Sequence, residues 1–379
     1  MFFAGGCLPF PLRIRSQLNP QPSPSHTDPL STMSVVETDI PTPATGQVLV
    51  HMTAMAVNPA DCISILGNYP GFQPVSFPAT PGLEGCGVVA AIGDQTNIPK
   101  DLQGLKQGSR VVPLLPIGMP EQGGSWTEYV LVDINDMILI PDSVSDQSAA
   151  QLHVNPMTVI GMLHTLNAPV GSYILQSAGG STLGKQMVQV ANDRGLHVIS
   201  TVRRCDQVAE LQAYGSDKAQ NHVICTSADD YDLAAQVMAI TDGAGAYGAI
   251  DPVAGDMTGQ LQDAVRPHGH VLVYGALAGI QYTGSVVSSL FRDVTVSGYW
   301  VTTDVGQREP VQRRKLMREA MEYIEKGIIV PHTGKQFALE QFADAVNESN
   351  KPGRSSEGKV LMVTDQTCYA KANGSKQEL

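Results

Sequence analysis

A short segment of small residues after an apolar run is the first part of the sequence whose residue types suggest chemistry. Residues Tyr173–Leu175 are typical of a buried parallel strand, and residues 178–184 (AGGSTLG) are mostly small. Met187, Val188 and Val190 then follow with the apolar spacing of a helix. A small turn between a strand and a helix lets backbone N–H groups approach a pyrophosphate. This arrangement predicts the entry to a dinucleotide-binding unit.

The glycine motif is incomplete, and its context determines how it is interpreted. Thr182 occupies a position where the pattern G-x-G-x-x-G has glycine, so the turn alone also fits a plain strand–helix corner. A second apolar run, His197–Val202, ends in Arg203 and Arg204 and not in Asp or Glu. An acidic residue there would bind the ribose 2′-OH of NAD, whereas arginine suits the 2′-phosphate of NADP. We predict a preference for NADPH, and the alternative is that both arginines are solvated loop charges.

The elements around this turn alternate between strands and helices from Tyr173 to about Ser297. The strand candidates are Tyr173–Leu175, His197–Val202, His222–Cys225, Ala249–Val253, His270–Tyr274 and Thr295–Val296. The helix candidates between them include Gln207–Tyr214, Leu233–Ile240 and Met257–Val265. Such alternation predicts an α/β fold, a doubly wound, Rossmann-type parallel sheet.

The remainder of the chain is rich in short strands and Gly/Pro turns. The sequence predicts a series of short strands, of which the first is Val35–Ile40 and the last Met137–Pro141. The alternation of apolar residues in 47–56 indicates a half-buried sheet. After a helix at Arg313–Lys326, β-type sequence returns at Ile328–Pro331 and Gly358–Val363. We therefore expect the nucleotide domain to be inserted into a discontinuous, β-rich, barrel-like domain.

Composition limits the classes of partner. The 379 residues carry a net charge of −12, which argues against nucleic acid as a main partner. The sequence contains no run of 18 apolar residues, so it predicts no membrane-spanning helix. Six cysteines include no C-x-x-C pair and no Cys/His cluster. This spacing supports neither a disulfide framework nor a structural zinc, and it suggests a reducing compartment.

The N-terminal segment allows several interpretations. Residues 1–30 contain Arg13 and Arg15, no acidic residue before Asp28, and six prolines. The arginines fit a mitochondrial presequence, but the prolines would break its helix. Mitochondrial import, a disordered leader and an incorrectly assigned start with Met33 as one candidate all remain open. The compartment is accordingly predicted as mitochondrion or cytoplasm.

Several short segments resemble one superfamily over nearly the whole chain from about Asp28. The segments are Val57–Asp61, Pro81–Gly85, Leu105–Val112, Ser177–Gly184 and Phe337–Val363, and they resemble the medium-chain dehydrogenase/reductase superfamily. Within it, the chain most resembles the mitochondrial trans-2-enoyl-CoA/enoyl-ACP reductases. That resemblance rests on Gly67–Tyr69, His153–Thr158, Val202-Arg203 and Ser349–Pro352 with Ser355 and Ser356.

The resemblance implies a fold and a division into domains. The fold would be a Rossmann-type doubly wound parallel sheet inserted in a GroES-like β-rich catalytic domain. The ranges would be 1–27 for a leader or poorly defined start, 28–155 for the first part of the catalytic domain, 156–300 for the NADP-binding domain, 301–365 for the return to the catalytic domain, and 366–379 for a polar tail. Residues 28–40 resemble the start of the catalytic domain, which argues against Met33 as the start, whereas residues 11–27 match the family's first strand poorly.

The residues at the family's zinc positions predict that this chain binds no metal. Zinc-dependent members carry Cys where this chain has Asn58 and His where it has Leu83. Neither residue can serve as a tight zinc ligand, and the single carboxylate of Glu84 does not make a site. Without a Lewis acid to polarise an alcohol or carbonyl, ordinary alcohol oxidation becomes less favoured.

The implied activity is NADPH-dependent reduction of the 2,3 double bond of trans-2-enoyl thioesters in fatty acid synthesis. Such a reaction needs a hydride at Cβ and a proton at Cα. Tyr69 occupies the position of the family's proton donor. The alternative is a loop tyrosine whose hydroxyl faces water.

The resemblance also implies cofactor contacts and an oligomeric state. The implied contacts are Asn155, Thr158, Gly180, Ser181, Thr182, Leu183, Arg203, Arg204, Tyr274, Gly275, Ala276, Leu277, Tyr299, Trp300, Val301, Thr302 and Lys359. Packing at a domain interface is an equal alternative for Tyr299 and Trp300. Members of the family often form homodimers that extend the nucleotide-domain sheet, so a homodimer is expected here.

Two other functions remain open. One is a zinc-free NADPH quinone/enone oxidoreductase of the same superfamily. The other is a redox-inactive nucleotide-binding relative, to which Thr182 in the glycine position lends weight. A basic cluster is either a solvated helix face or a dock for the phosphates of coenzyme A or an acidic carrier protein, and its members are Arg308, Arg313, Arg314, Lys315 and Arg318.

Overall fold

The structure, a computed structural model, describes residues 12–16, 29–66, 69, 79–115, 123–216, 219–351 and 357–364. The chain divides into two compact units. The first unit comprises Met1–Val154, Arg308–Glu325 and Pro331–Leu379, and the second comprises Asn155–Gln307 and Lys326–Val330. No helix within the described ranges is long and apolar enough to cross a membrane.

The first unit is built on a seven-stranded sheet. Its strands are β3 (Gln47–Ala56), β4 (Gly85–Ile92), β5 (Arg110–Pro113), β6 (Tyr129–Asp133), β7 (Met137–Leu139), β14 (Thr333–Ala338) and β15 (Lys359–Val363). The order is β14-β15-β3-β4-β5-β7, and β6 also pairs with β3. The helices of this unit are α1 (Pro59–Ile65), α2 (Asp146–Ala149), α10 (Pro310–Glu325) and α11 (Phe342–Ser349).

Strand β3 lies at the centre of this sheet. It pairs antiparallel with β4, β6 and β15, and every residue from Val48 to Ala56 is buried. The predicted half-buried strand is therefore wrong for β3, because a curved, barrel-like sheet with helices around it covers both strand faces. Val50, Met52 and the fully buried Trp126 belong to the resulting apolar core.

The structure adds a strand at the start of this unit and corrects one local prediction. Leu12–Ser16 forms β1, which pairs antiparallel with β2 (Met33–Glu37), and the poor sequence match of residues 11–27 to the family's first strand stays a prediction. The sequence of β1, LRIRS, alternates apolar and basic residues with the period of a strand and not of a helix. Residues 328–331 are not a strand, and β14 begins only at Thr333.

The second unit contains six parallel strands in the order β10-β9-β8-β11-β12-β13. They are β8 (Tyr173–Gln176), β9 (His197–Val202), β10 (Asn221–Cys225), β11 (Ala246–Asp251), β12 (Val265–Val273) and β13 (Thr295–Gly298). The helices are α3 (Asn155–Leu166), α4 (Thr182–Asp193), α5 (Val208–Gln212), α6 (Leu233–Ile240), α7 (Asp256–Ala264), α8 (Val286–Phe291) and α9 (Val301–Gly306).

This strand order confirms the predicted doubly wound α/β fold. The strands after β8 are added first on one side of it, as β9 and β10, and then on the other side, as β11 to β13. The boundary between β8 and β11 is therefore a topological switch point, and open α/β sheets bind ligands at the carboxyl ends of the strands at such a point. Leu175, Ile199, Ala249 and Val271 from four neighbouring strands are fully buried in one core. The continuous apolar strands follow from this burial on both faces of the sheet.

Candidate cofactor site and catalytic-unit polar cluster

The turn after β8 places backbone N–H groups at the carboxyl edge of the sheet. Ser181 caps α4, because its Oγ accepts a hydrogen bond from the backbone N–H of Gly184 at 3.1 Å. The helix then begins at Thr182, so the N–H groups of Thr182 and Leu183 have no acceptor within the helix. A helix start with such groups suits a pyrophosphate. Thr182 is the first helical residue and does not need the backbone freedom of glycine.

Close packing around the turn depends on two other glycines. A Cβ atom at Gly184 would lie 2.6 Å from the carbonyl oxygen of Gly179, and one at Gly179 would lie 2.6 Å from Cβ of Ser200. At Gly180 the nearest neighbour is the flexible side chain of Gln207, 3.0 Å away. Gly179 and Gly184 therefore allow the turn, α4 and β9 to approach, a role that the sequence analysis did not assign to them.

Asp251 is a residue at this edge that the sequence analysis missed. Its buried carboxylate accepts hydrogen bonds from Ser177 Oγ at 2.6 Å, Thr258 Oγ1 at 2.7 Å and the backbone N–H of Val253 at 2.9 Å. These bonds hold the ends of β8 and β11 and the first turn of α7 to one another. The available signal was an aspartate in the middle of the apolar strand candidate Ala249–Val253, where a buried carboxyl group requires several donors.

Arg203 and Arg204 follow β9 directly and are exposed at the same edge as the turn, since β8 and β9 are parallel. The carbonyl oxygen of Arg203 accepts a hydrogen bond from Ser227 Oγ at 2.7 Å. Nε of Arg204 lies 3.6 Å from a carboxylate oxygen of Asp206 in an exposed ion pair. Both guanidinium groups are thus accessible to a phosphate, and their role as 2′-phosphate ligands stays a prediction.

A disulfide lies directly beside these arginines. Cys205 and Cys225 are bonded, with their Cα atoms 5.2 Å apart. The inference that the cysteine spacing supports no disulfide is therefore corrected for this pair. The two residues are 20 positions apart in sequence, and only the parallel pairing of β9 with β10 brings them together.

Residues 274–277 leave the carboxyl end of β12 at this edge. Burial and the nearby Asp251 raise the pKa of the Tyr274 phenol, so the hydroxyl is neutral near neutral pH. Gly275 packs closely on the preceding connection, because a Cβ atom there would lie 2.7 Å from the carbonyl oxygen of Pro252. Ala276 and Leu277 are exposed.

The predicted contacts near the nicotinamide lie on β13, α9 and α3. Tyr299 follows β13, and its hydroxyl donates to Asp304 at 2.8 Å while its ring end fills the space that Gly161 leaves on α3. Trp300 precedes α9, whose first two residues are Val301 and Thr302. In the first turn of α3, Thr158 is buried and Asn155 half-buried. Packing within the second unit thus accounts for Tyr299, and the other contacts remain predictions.

The first unit contains a buried polar cluster around Asn58. The Asn58 side chain donates through Nδ2 to Glu84 Oε1 at 3.0 Å and accepts through Oδ1 from Lys359 Nζ at 2.6 Å. The other oxygen of Glu84 accepts from the backbone N–H of Val154 at 2.8 Å. Asn58 and Glu84 are almost completely buried. Lys359, predicted as a cofactor contact, is thus engaged by residues of its own unit.

A second buried carboxylate belongs to the same cluster. Asp61 accepts a hydrogen bond from the backbone N–H of Asn58 at 2.7 Å. Burial raises the pKa of Asp61 to about 7, and the neighbouring Glu84 acts in the same direction while Lys359 opposes it. Burial also lowers the pKa of Lys359, whereas the two carboxylates favour its charged form. The charges of these three residues are therefore interdependent.

The donor set at this position does not fit zinc. Leu83 is a buried apolar residue, both polar atoms of the Asn58 amide are already hydrogen-bonded, and the Lys359 ammonium would repel a cation. In the described ranges, no group of three or more His, Cys, Asp or Glu residues could hold a metal ion.

Tyr69 lies in the first unit, where it forms a bend and is half-buried. Gly67 and Asn68, which share its motif, lie outside the described residues, as do residues 352–356 with Ser355 and Ser356. The role of Tyr69 as proton donor stays a prediction.

Three arginines of the basic cluster on α10 form ion pairs with aspartates of the first unit. Arg314 is only 2% exposed, and its Nε lies 2.7 Å from Asp101 Oδ2. Arg318 contacts the same carboxylate at 2.5 Å, and Arg313 lies 2.6 Å from Asp136. Arg313 and Arg314 therefore join α10 to the rest of the first unit, whereas Arg318 is partly exposed and Lys315 is exposed on the solvated face of the helix.

The β-rich unit and the doubly wound unit with a phosphate-type turn define the class of two-domain dehydrogenases. Residues 44–142 match the family model described as alcohol dehydrogenase GroES-like domain, and residues 182–322 match that of zinc-binding dehydrogenase. The chain belongs to the medium-chain dehydrogenase/reductase superfamily of oxidoreductases.

Individual relatives differ in the activity that their names describe. The mitochondrial enoyl-[acyl-carrier-protein] reductase of Bos taurus is 28% identical over 339 residues, which are 89% of this chain and 87% of the relative. A Bacillus thuringiensis protein assigned as an NADPH:quinone reductase is 27% identical, with a TM-score of 0.79 over 94% of this chain and 99% of the relative. Escherichia coli quinone oxidoreductase complexed with NADPH shares the fold at 21% identity, with a TM-score of 0.74 over 93% of this chain and 99% of the relative.

Proposed function

We propose that the protein uses NADPH to reduce the 2,3 double bond of trans-2-enoyl thioesters, carried on coenzyme A or acyl carrier protein. The observation that carries the reductase proposal is the edge of the second sheet, where a turn with helix-start N–H groups lies beside Arg203 and Arg204. The choice of enoyl thioester is supported by the similarity to an enoyl-[acyl-carrier-protein] reductase across most of the chain.

The chemistry divides between the cofactor and the protein. NADPH, when bound, supplies the hydride that Cβ of the substrate receives. The N–H groups of Thr182 and Leu183 would bind the pyrophosphate, and Arg203 and Arg204 the 2′-phosphate. Tyr69 would deliver the proton to Cα, because a phenol hydroxyl can act as a hydrogen-bond and proton donor.

The direct test is consumption of NADPH with three acceptors: crotonyl-CoA, a longer trans-2-enoyl-CoA and a simple quinone. We expect turnover of both thioesters and a saturated thioester product. Turnover of the quinone alone would refute the enoyl thioester assignment and leave the reductase class intact. Absence of NADPH binding in a fluorescence titration would instead favour the redox-inactive alternative.

The second candidate function is a quinone/enone oxidoreductase, and one observation favours it. The assigned NADPH:quinone reductase of Bacillus thuringiensis matches at about the same identity as the enoyl reductase relative. Both activities would use the same cofactor edge and no metal. The ratio of kcat/KM for the thioesters to that for the quinone therefore decides between them.

Cofactor preference gives the first specific prediction. Replacing Arg203 and Arg204 together by serine should raise KM for NADPH by about a hundredfold to ten-thousandfold, because each of the two charge-assisted hydrogen bonds contributes about 1.5–3 kcal/mol. KM for NADH should change little. Initial rates with each nucleotide provide the measurement, and Arg194→Ser, at the opposite end of α4, is the matched control. Equal losses with both nucleotides would show that the arginines act on structure and not on the 2′-phosphate.

The second unit also exposes an apolar surface that suits a second copy of the chain. In helix α8 the buried Ser288 donates through Oγ to Asp263 at 2.6 Å, and Oγ of the exposed Ser289 accepts from Gln262 at 3.0 Å. The apolar residues of α8 are exposed, and so is Ile280 nearby; we call Ile280, Val286, Val287, Leu290 and Phe291 the apolar stretch. Strand β13 ends the described sheet beside it. Exposed apolar residues at a sheet edge are typical of an interface.

We propose that the apolar stretch contributes to a homodimer. Leu290→Asp with Phe291→Asp should convert the dimer to a monomer, because two carboxylates would be buried against apolar groups. Light scattering after size exclusion measures the mass, and Val311→Asp, at an exposed valine of the first unit, is the control. A monomeric wild type at micromolar concentration would contradict the proposal.

The compartment remains part of the proposal. The enoyl reductase relative is named a mitochondrial protein, and mitochondrion or cytoplasm both suit this chain. Imaging of the full-length chain with a C-terminal fluorescent tag would decide between the two.

A further inference from the structure

The Cys205–Cys225 disulfide ties residues 203–205, which we call the arginine segment, to the neighbouring strand β10. Cys205 follows Arg204 directly and begins the 3-10 helix Cys205–Gln207, while Cys225 is the last residue of β10. Cys225 lies opposite Val202, the last residue of β9, in the parallel register. The bond therefore links the end of β10 to the residue that follows Arg203 and Arg204, at the carboxyl edge of the sheet.

Hydrogen bonds between described residues also hold this segment. Thr226 donates its backbone N–H to Val202 at 2.8 Å, and Ser227 Oγ donates to the Arg203 carbonyl at 2.7 Å. The short helix places the side chain of Gln207 against Gly180 in the phosphate turn. The disulfide thus lies in a chain of contacts that runs from β10 through the arginine segment to the turn.

The reactivity of the described cysteines differs with their burial. Cys205 is exposed and Cys225 is partly exposed, so a small reductant can reach the bond. Cys62 and Cys86 are buried thiols, and burial raises their pKa values to about 11 and about 12. Because the thiolate is the reactive form, those two are protected. Within the described ranges, the Cys205–Cys225 pair is the one placed for thiol–disulfide exchange.

We propose that Cys205 and Cys225 form a redox modification site that controls affinity for the 2′-phosphate of the cofactor. The proposal rests on the proposed use of NADPH. A dithiol donates two electrons and two protons, the Sγ–Sγ bond breaks, two cysteine thiols form, and the dithiol becomes a disulfide. A low-molecular-weight disulfide such as oxidised glutathione reverses the reaction and leaves as two thiols. Exchange of this kind proceeds through a mixed disulfide.

Opening the bond weakens phosphate binding because the arginine segment must then be ordered when the ligand binds. Fixing the backbone of one residue costs about 1–2 kcal/mol, which corresponds to roughly tenfold in affinity. We expect the effect chiefly for ligands that carry the 2′-phosphate, since that is the group that the exposed guanidinium groups of Arg203 and Arg204 would bind.

The experiment compares oxidised and reduced protein with two cofactor fragments. Protein is treated with oxidised glutathione or with dithiothreitol under anaerobic conditions, and peptide mass spectrometry identifies the Cys205–Cys225 link. Calorimetry then gives Kd for 2′,5′-ADP and for 5′-AMP. We expect reduction to weaken 2′,5′-ADP about tenfold and to leave 5′-AMP unchanged. Cys225→Ser should reproduce the reduced values in both conditions, and Cys368→Ser should keep the redox response.

Three results would overturn the proposal. The first is no linked peptide after oxidation. The second is equal affinity for 2′,5′-ADP in both states. The third is an equal loss for both fragments together with a lower Tm, which would identify the bond as a structural brace. If 2′,5′-ADP binds in neither state, the proposed NADPH dependence itself fails, and the modification site falls with it.

Discussion

Replacing Tyr69 by phenylalanine should lower kcat for trans-2-enoyl-CoA by about a hundredfold to ten-thousandfold, the range that a general acid contributes. The phenyl ring keeps the apolar packing of the half-buried residue and removes only the hydroxyl. Kd for NADPH should stay unchanged, because the predicted cofactor contacts of the turn and the arginines lie in the other unit. Steady-state rates and a fluorescence titration on the same preparation give both quantities.

A matched control separates this effect from a general loss of tyrosine. Tyr282→Phe, at an exposed tyrosine of the second unit, should keep the wild-type kcat. If Tyr69→Phe turns over thioesters at the wild-type rate, Tyr69 is a loop residue and the proton comes from another donor. If the variant loses kcat for the quinone as well, the hydroxyl serves a step that both acceptors share.

Replacing Lys359 by methionine should lower the free energy of unfolding of the first unit by about 1–3 kcal/mol near pH 8.5, the cost of leaving the buried Asn58 amide oxygen without its charged donor. Methionine has a similar length and volume. It leaves the buried carboxylates of Glu84 and Asp61 without the ammonium that hydrogen-bonds to Asn58. Urea denaturation followed by the fluorescence of Trp126 measures the loss, in a Trp300→Phe background that removes the other of the two tryptophans.

The size of this loss should depend on pH through Asp61. Burial raises the pKa of Asp61 from 3.8 to about 7, so the folded state keeps a proton that the unfolded state has released. Stability from this group is fully present below about pH 4 and is lost as pH rises through about 7. Without Lys359 the pKa rises further, so the penalty should be smaller near pH 5.5 than near pH 8.5.

Substitution of Asp61 supplies the control for the pH dependence. In an Asp61→Asn background, the penalty of Lys359→Met should be about the same at both pH values, because Glu84 is the remaining partner. A penalty that grows with pH even in that background would contradict the assignment to Asp61. No penalty at either pH would show that the ammonium of Lys359 is not needed by the buried carboxylates.

The alternation of elements and the residues at strand ends could be predicted from the sequence because they depend on local patterns. Buried parallel strands are continuous apolar runs, so their positions in the second unit were readable, and with them the turn at residues 178–184 and the arginines after β9. Asn58 and Leu83 at the family's zinc positions could also be recognised from the sequence, since the ability of a side chain to bind zinc depends on its residue type.

Only the tertiary structure decided which distant residues meet. The cluster of Asn58, Glu84 and Lys359 joins residues up to 301 positions apart, and the Asp251 bonds and the Cys205–Cys225 link depend on which strands are neighbours. The ion pair of Arg314 with Asp101 likewise turned an expected surface charge into a buried one. Local periodicity reports how one element faces the core, whereas partners and pKa values follow from the packing of elements far apart in sequence.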